Sequence, residues 1–277
     1  MNKKHFTLII FTCTFLLIVV LSIYGLINLC REEITVGLYV GPGTWRDGIE
    51  ALELLLNNLG IKFQEVRAFD IINGNLYNIK TLIIPGGWAW DYHVTLGSQG
   101  ENVIKEYVAK GESIIGICAG AFYLAKIIIW KGKEYTYPLG LLNVIAIGPK
   151  KNYPWPSYGL VNIVLEKKFT KYLNSNKSIF SAFYYGGPEF MCLGKEVVVL
   201  ARYLDNKEPA IVLGTYGKGL VILVGVHLEI REETWPIIDL LIKIANRELS
   251  FSFLNKGLSL SYFIHISICT RWKHVLI

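Results

Sequence analysis

The sequence predicts an α/β fold: a doubly wound, mostly parallel sheet with helices on both faces and an N-terminal transmembrane helix ahead of it. Three observations carry this expectation. Between residues 34 and 246, short apolar β-rich runs alternate singly with helix-compatible stretches, the pattern of strands joined by crossover helices. Val221-Ile222-Leu223-Val224-Gly225-Val226 has no polar side chain, as a strand covered on both faces requires. Residues 6–29 form a run of 24 without a charged side chain, long enough to cross a bilayer core as a helix. A length of 277 residues suffices for one sizeable domain with extras. The boundaries expected are 1–33 for a membrane anchor or signal segment, 34–248 for the α/β domain, and 249–277 for a C-terminal tail without a clear period.

Taken in order, Lys3 and Lys4 precede the apolar run, and Arg31, Glu32 and Glu33 follow it. Secretory signals open in the same way, but this run exceeds a typical signal core and no small-x-small cleavage pattern follows. Leu29 before Cys30 argues against acylation of that cysteine. A retained anchor in the lipid bilayer is expected, with the N-terminus cytoplasmic and the domain on the outer side; cleavage would instead release the domain as a secreted or periplasmic protein. Residues 34–40 read as the first strand, and residues 47–59 as a helix with apolar Ile49, Leu52, Leu55 and Leu56, capped by Gly60. Strands follow at 61–66 and 81–84, the latter closed by Pro85-Gly86-Gly87, and a helix at 101–110 leads to the strand at 113–115. A helix is expected over 121–126. Residues 131–158, rich in Gly, Pro and aromatics, suggest loops and short strands. Further strands are expected at 161–165, 197–201 and 210–213, with a turn at 216–219 and a closing helix at 237–246.

The chemistry centres on Gly116-Ile117-Cys118-Ala119-Gly120, which sits between an apolar strand and a helix. A side chain on such a strand–turn–helix elbow is thrust out at the top of a sheet, and small neighbours are needed because adjacent backbone passes close. Unpaired N–H groups at the helix start favour thiolate over thiol. The pentapeptide alone fits a small core filler as well as a nucleophile. His227, at the end of an apolar strand, with Glu229 two residues later, tips the balance. The carboxyl ends of strands are where open α/β sheets place their sites, and a Cys elbow paired with a rim histidine makes a nucleophile, a base and an orienting carboxylate.

Composition excludes other classes. The net charge of +6 is modest and unclustered, and Lys150-Lys151 and Lys167-Lys168 read as solvated surface pairs, so no nucleic acid partner is expected. The five cysteines form neither a disulfide framework nor a zinc spacing, and no metal or cofactor is expected.

With these residues in place the chain resembles the class I glutamine amidotransferase-like superfamily, flavodoxin-like in fold, which uses a Cys elbow and a His-x-Glu pair in this order. Four ordered motifs narrow the likeness: Pro85-Gly86-Gly87 with Asp91-Tyr92, Gly116-Ile117-Cys118-Ala119-Gly120-Ala121, Phe183-Tyr184-Tyr185-Gly186-Gly187-Pro188, and Gly225-Val226-His227-Leu228-Glu229. Together they are similar to the N-terminal domain of eukaryotic-type biotin-protein ligases. The resemblance implies Cys118 as nucleophile, His227 as general base and then acid, and Glu229 as the group fixing the imidazole. It also implies an oxyanion hole from the N–H groups of Ala119 and of Gly86 or Gly87, and a pocket walled by Tyr92, Tyr184, Tyr185, Gly186 and Gly187. The implied activity is hydrolysis or acyl transfer at an amide or ester carbonyl of a small-molecule substrate. Glutamine-using members carry Gln where this chain has Phe122, so glutamine recognition is not implied. Biotin ligation belongs to a separate C-terminal domain in that family. The alternatives are a non-catalytic ligand-binding or regulatory module, and a partner of a synthetase or ammonia acceptor on another chain.

Overall fold

The computed structural model describes residues 17–19, 35–173 and 177–249. The expected anchor over 6–29 and the tail lie outside the described residues, apart from three helical positions at 17–19 and Leu249. Among the described residues, no helix is long and apolar enough to cross a membrane. The chain divides into two compact units, Met1–Ile34 and Thr35–Ile277, and the fold below belongs to the second.

Five strands pair in parallel: β1 (Val36–Tyr39), β2 (Phe63–Val66), β3 (Thr81–Ile84), β4 (Ser113–Ile117) and β13 (Gly219–Val224), in the order β2-β1-β3-β4-β13. The connections between them carry helices α1 (Arg46–Asn58), α2 (Ala68–Ile72), α3 (Ala89–Lys110) and α4 (Ala119–Leu124), and α6 (Trp235–Ala245) follows β13; α5 (Lys167–Thr170) is a single turn elsewhere. Successive strand residues point to opposite faces, and both faces are apolar. Leu38, Ile83, Ile115 and Ile222 pack with Leu52, Leu55 and Leu56 of α1 and Ile237 and Leu241 of α6. Leu82, Ile114, Val221 and Leu223 pack with Ile71, Leu96, Ile104 and Tyr123 of α2, α3 and α4. Each fully buried Leu or Ile contributes about 1.5–3 kcal/mol relative to exposure, so the strands that end at the site are clamped from both sides.

The sheet is mixed rather than mostly parallel. Beyond β13 it continues antiparallel through β12 (Pro209–Tyr216), β11 (Val198–Tyr203), β8 (Tyr158–Leu165) and β9 (Ile179–Tyr185). Connection length is the cause. The β12–β13 link is a two-residue turn with Gly217 at φ +59°, and a link that short joins only antiparallel neighbours. A second sheet, β10-β7-β5-β6, consists of β5 (Ala125–Trp130), β6 (Lys133–Tyr135), β7 (Leu142–Gly148) and β10 (Glu189–Cys192).

Two helix expectations are corrected. The helix after Cys118 stops at Leu124 instead of reaching Lys126, and Ala125 enters β5; the run Ile127-Ile128-Ile129 is β-branched and favours the pleated pairing with β7 that it finds. The helix expected over 101–110 starts twelve residues earlier, at Ala89, because two helical segments meet at Gly97 (φ 55°, ψ −176°), and that glycine hides the continuity from a periodicity reading.

Candidate active site

β4 delivers Cys118 to a turn where its backbone adopts φ 51°, ψ −106°, a conformation costly for a residue with a Cβ. The Cys118 N–H donates to Val224 O on β13 at 2.8 Å, and Cys118 O accepts from Phe122 N–H at 3.0 Å as α4 begins. The flanking glycines are required by close approach: a Cβ on Gly116 would lie 2.6 Å from the Gly120 carbonyl, and one on Gly120 would lie 2.1 Å from Ile84 O. The Cys118 side chain is 6% exposed, and its Sγ lies 3.5 Å from Tyr185 O.

Past the end of β13, His227 N–H donates to Phe183 O at 2.8 Å. This isolated bridge ties β9 back to the exit of β13, so the antiparallel half of the sheet curls toward the site. The imidazole Nδ1 lies 2.6 Å from Glu229 Oε1, and both residues are 1% exposed. Trp45 covers the ring edge-on at a centroid distance of 5.0 Å. Among the described residues, Nε2 of His227 has no hydrogen-bond partner. Gly86 records how close the groups are: a Cβ there would lie 2.5 Å from His227 Cε1 and 3.5 Å from Cys118 Cβ. Burial, the largest single influence on His227, disfavours its cation. The Glu229 carboxylate and then the adjacent Cys118 outweigh burial together, lifting the imidazole from 6.5 to about 10.

The Pro85-Gly86-Gly87 turn is held by several donors. Pro85 O accepts from Gly120 N–H at 3.1 Å, Gly86 O accepts from Trp45 N–H at 2.8 Å, and the Tyr92 hydroxyl reaches both carbonyls at 3.0 Å. The N–H groups of Gly86 and Gly87 make no backbone hydrogen bond among the described residues. On the opposite side, a Cβ on Gly187 would lie 3.7 Å from Cys118 Sγ. All four sequence motifs therefore converge at the carboxyl ends of β3, β4, β9 and β13.

A cavity of about 290 Å³ opens beside the sulfur. Cys118, Ala119 and Phe122 form one side; Gly87, Trp88, Ala89 and Trp90 another; Ile128, Trp130, Tyr135 and Tyr137 come from the second sheet and its exit; Trp155, Tyr185 and Gly186 complete it. Of the expected pocket residues, Tyr185 and Gly186 line this space, and Gly187 sits behind it beside the sulfur. Tyr92 and Tyr184 do not line it. Both are 0% exposed, and the Tyr184 hydroxyl is spent on Gly187 O (2.8 Å) and Lys150 N–H (2.7 Å). Their ring size suited the core, and their hydroxyls brace the site loops. The aromatic wall from Trp88 to Trp155 was not identified from sequence; its signal was Trp88 and Trp90 directly after the Pro85-Gly86-Gly87 turn, and the Trp and Tyr residues among the Gly and Pro from Trp130 onward.

Lys150 corrects another expectation. It is no solvated surface lysine but 3% exposed, with Nζ 3.3 Å from both Glu189 and Asp205 and 3.9 Å from the Tyr203 ring centroid. Cys118 and Cys192 are both free thiols, and burial pushes the Cys192 thiol up. Among the described residues no cluster of three or more His, Cys, Asp or Glu could hold a metal.

Residues 34–244 match the family model described as the N-terminal domain of biotin-protein ligase. A biotin–protein ligase of Schizosaccharomyces pombe is 25% identical over 173 residues, 57% of this chain and 27% of the ligase. The pyridoxal 5'-phosphate synthase subunit PdxT of Thermus thermophilus is 28% identical over 200 residues, covering 72% of this chain and 91% of that protein. Among solved structures, a glutamine amidotransferase aligns with a TM-score of 0.59 at 25% identity, over 76% of this chain and 98% of that one. The chain spans less than two thirds of two of the curated relatives it matches, 60% and 27% of their lengths.

Proposed function

The chain belongs to the family of biotin-protein ligase N-terminal domains, with an amidotransferase-like fold, and on that premise we propose that it is a cysteine-dependent hydrolase or acyl transferase acting at an amide or ester carbonyl. Cys118 is the nucleophile, His227 the base and then acid, and Glu229 the group that orients the imidazole. The observation that carries this reading is the buried 2.6 Å Nδ1–Oε1 contact, with Nε2 left unpaired on a ring beside Cys118. In the reaction Nε2 of His227, the ring nitrogen left free by the Glu229 contact, takes the Cys118 proton and leaves a thiolate. That thiolate attacks the carbonyl carbon, and the oxyanion is received by N–H groups of Ala119 and of Gly86 or Gly87. Collapse expels the amine or alcohol, which takes its proton from His227. Water, deprotonated by His227, then releases the carboxylic acid and restores the thiol; an acceptor amine or alcohol in place of water gives transfer.

Phe122 speaks against glutamine as the substrate. Likeness to a synthase subunit favours a second reading, in which the domain serves a synthetase or acceptor on another chain. We also place residues 6–29 in the lipid bilayer as an uncharged span, with the domain on the outer side. The test of the triad is alkylation by iodoacetamide at pH 6. Cys118 is expected to react at least about tenfold faster than Cys192, and His227→Ala to slow Cys118 to the Cys192 rate. Equal, slow labelling of both thiols in the wild type removes the nucleophile and leaves a ligand-binding module.

A further inference from the structure

We infer that the substrate presents a bulky apolar acyl group, seated in the aromatic cavity beside Cys118; the inference deepens, and rests on, the reading of Cys118 as the acylated residue. Whatever is bonded to that sulfur must occupy the space next to it, and Ala119 and Phe122, one and four positions later, form the same cavity wall. No charged and no carboxamide side chain lines the cavity. An amino-acid head group placed there would lose its hydration and meet no ion to balance its charges, only tyrosine hydroxyls and indole N–H groups, whereas a hydrocarbon or aryl group gains from every contact.

The position occupied by Gln in glutamine-using relatives of this fold holds Phe122, whose ring meets Trp130 edge-on at 5.6 Å. Trp130 in turn meets Trp155 at 5.9 Å, and Trp155 stacks on Tyr185 at 4.7 Å. These rings brace one another, so the space is preformed. At the mouth, Trp88 and Trp90 are each 53% exposed. Apolar surface left in water beside a cavity gains stability only when a ligand covers it. The volume of about 290 Å³ falls at the lower end of ligand pockets, which run roughly 300–1,000 Å³, and suits a medium-length or single-ring acyl group rather than a long lipid chain.

The experiment uses the full chain in detergent with p-nitrophenyl acetate, butyrate, hexanoate and phenylacetate. Ester and water give carboxylic acid and p-nitrophenol, with the acyl group carried on Cys118. Each buried methylene is worth about fourfold, so the four added from acetate to hexanoate are expected to raise kcat/KM by about 250-fold if all are buried, and Phe122→Gln to cut that ratio by about tenfold or more. A second arm needs no turnover and no Phe122 variant: tryptophan fluorescence of Cys118→Ala is titrated with acetamide, butyramide, hexanamide and L-glutamine. Affinity rising with chain length, with glutamine silent, supports the inference. Turnover that depends on Cys118 yet is flat in chain length overturns it and leaves the triad standing. Length-dependent binding without turnover in the wild type supports the apolar ligand class and overturns the nucleophile instead. Flat binding, or saturation by glutamine, overturns the inference whatever the kinetics.

Discussion

His227 concentrates the electrostatics of the site in one buried ring. Its cation is disfavoured by burial and rescued by Glu229 and Cys118, and the net direction is upward, to about 10. A histidine raised on folding contributes stability that is fully present below the unfolded value near 6.5 and disappears as pH climbs through the folded value. Each unit of displacement corresponds to about 1.4 kcal/mol. Wild type should therefore be stabler than His227→Gln at pH 6, and the gap should close between pH 6.5 and 10, measured by urea denaturation of both proteins across that range. Parallel pH profiles would mean that the fold does not favour the imidazolium over the neutral ring. Glycines act beside it by what they lack: at Gly86 any Cβ would strike the His227 ring, so this turn and the imidazole depend on each other.

At the scale of elements, the site depends on how the Gly186-Gly187-Pro188 loop is pinned after β9. Tyr184 donates to Gly187 O, and Tyr203 of β11 donates to Pro188 O at 2.8 Å. Lys150, just past β7, ties these tyrosines together: its N–H donates to the Tyr184 hydroxyl, and its ammonium lies over the Tyr203 ring between Glu189 and Asp205. Removing one partner of a buried pair costs about 3–5 kcal/mol. Since Asp205 is 43% exposed and water screens part of the loss, Lys150→Met is expected to cost nearer about 2 kcal/mol. Urea denaturation reads that loss, and iodoacetamide labelling should show Cys118 less discriminated from Cys192 as the loop relaxes. A variant as stable as wild type would mean that the ammonium contributes nothing net to the loop.

For the whole molecule, the parallel strands and the antiparallel extension do different work. The parallel half brings the Pro85, Cys118 and Gly225 turns to one edge, and the curled antiparallel half returns Phe183 and Tyr185 to it. The second sheet then closes the cavity through Ile128, Trp130 and Tyr135. The uncharged run at 6–29 carries a separate expectation. The full chain should sediment with membranes and resist alkaline carbonate, whereas deletion of residues 1–33 should shift it to the supernatant. Release of the full chain by carbonate would limit that run to a peripheral or cleaved role.

The parallel strands, the Cys118 elbow and the His227–Glu229 pair were legible in the sequence because each is a local pattern. A strand covered on both faces must be apolar throughout, and a strand-to-helix turn under close backbone must be flanked by glycine. The direction of β12, β11, β8 and β9, the burial of Lys150 and the exclusion of Tyr92 and Tyr184 from the cavity were not. These depend on which distant segment lies opposite: a lysine is buried only if two carboxylates and a ring arrive to receive it, and a tyrosine lines a cavity only if the core has no use for it. Local chemistry is written residue by residue, whereas packing partners separated by tens of residues are chosen only when the chain closes on itself.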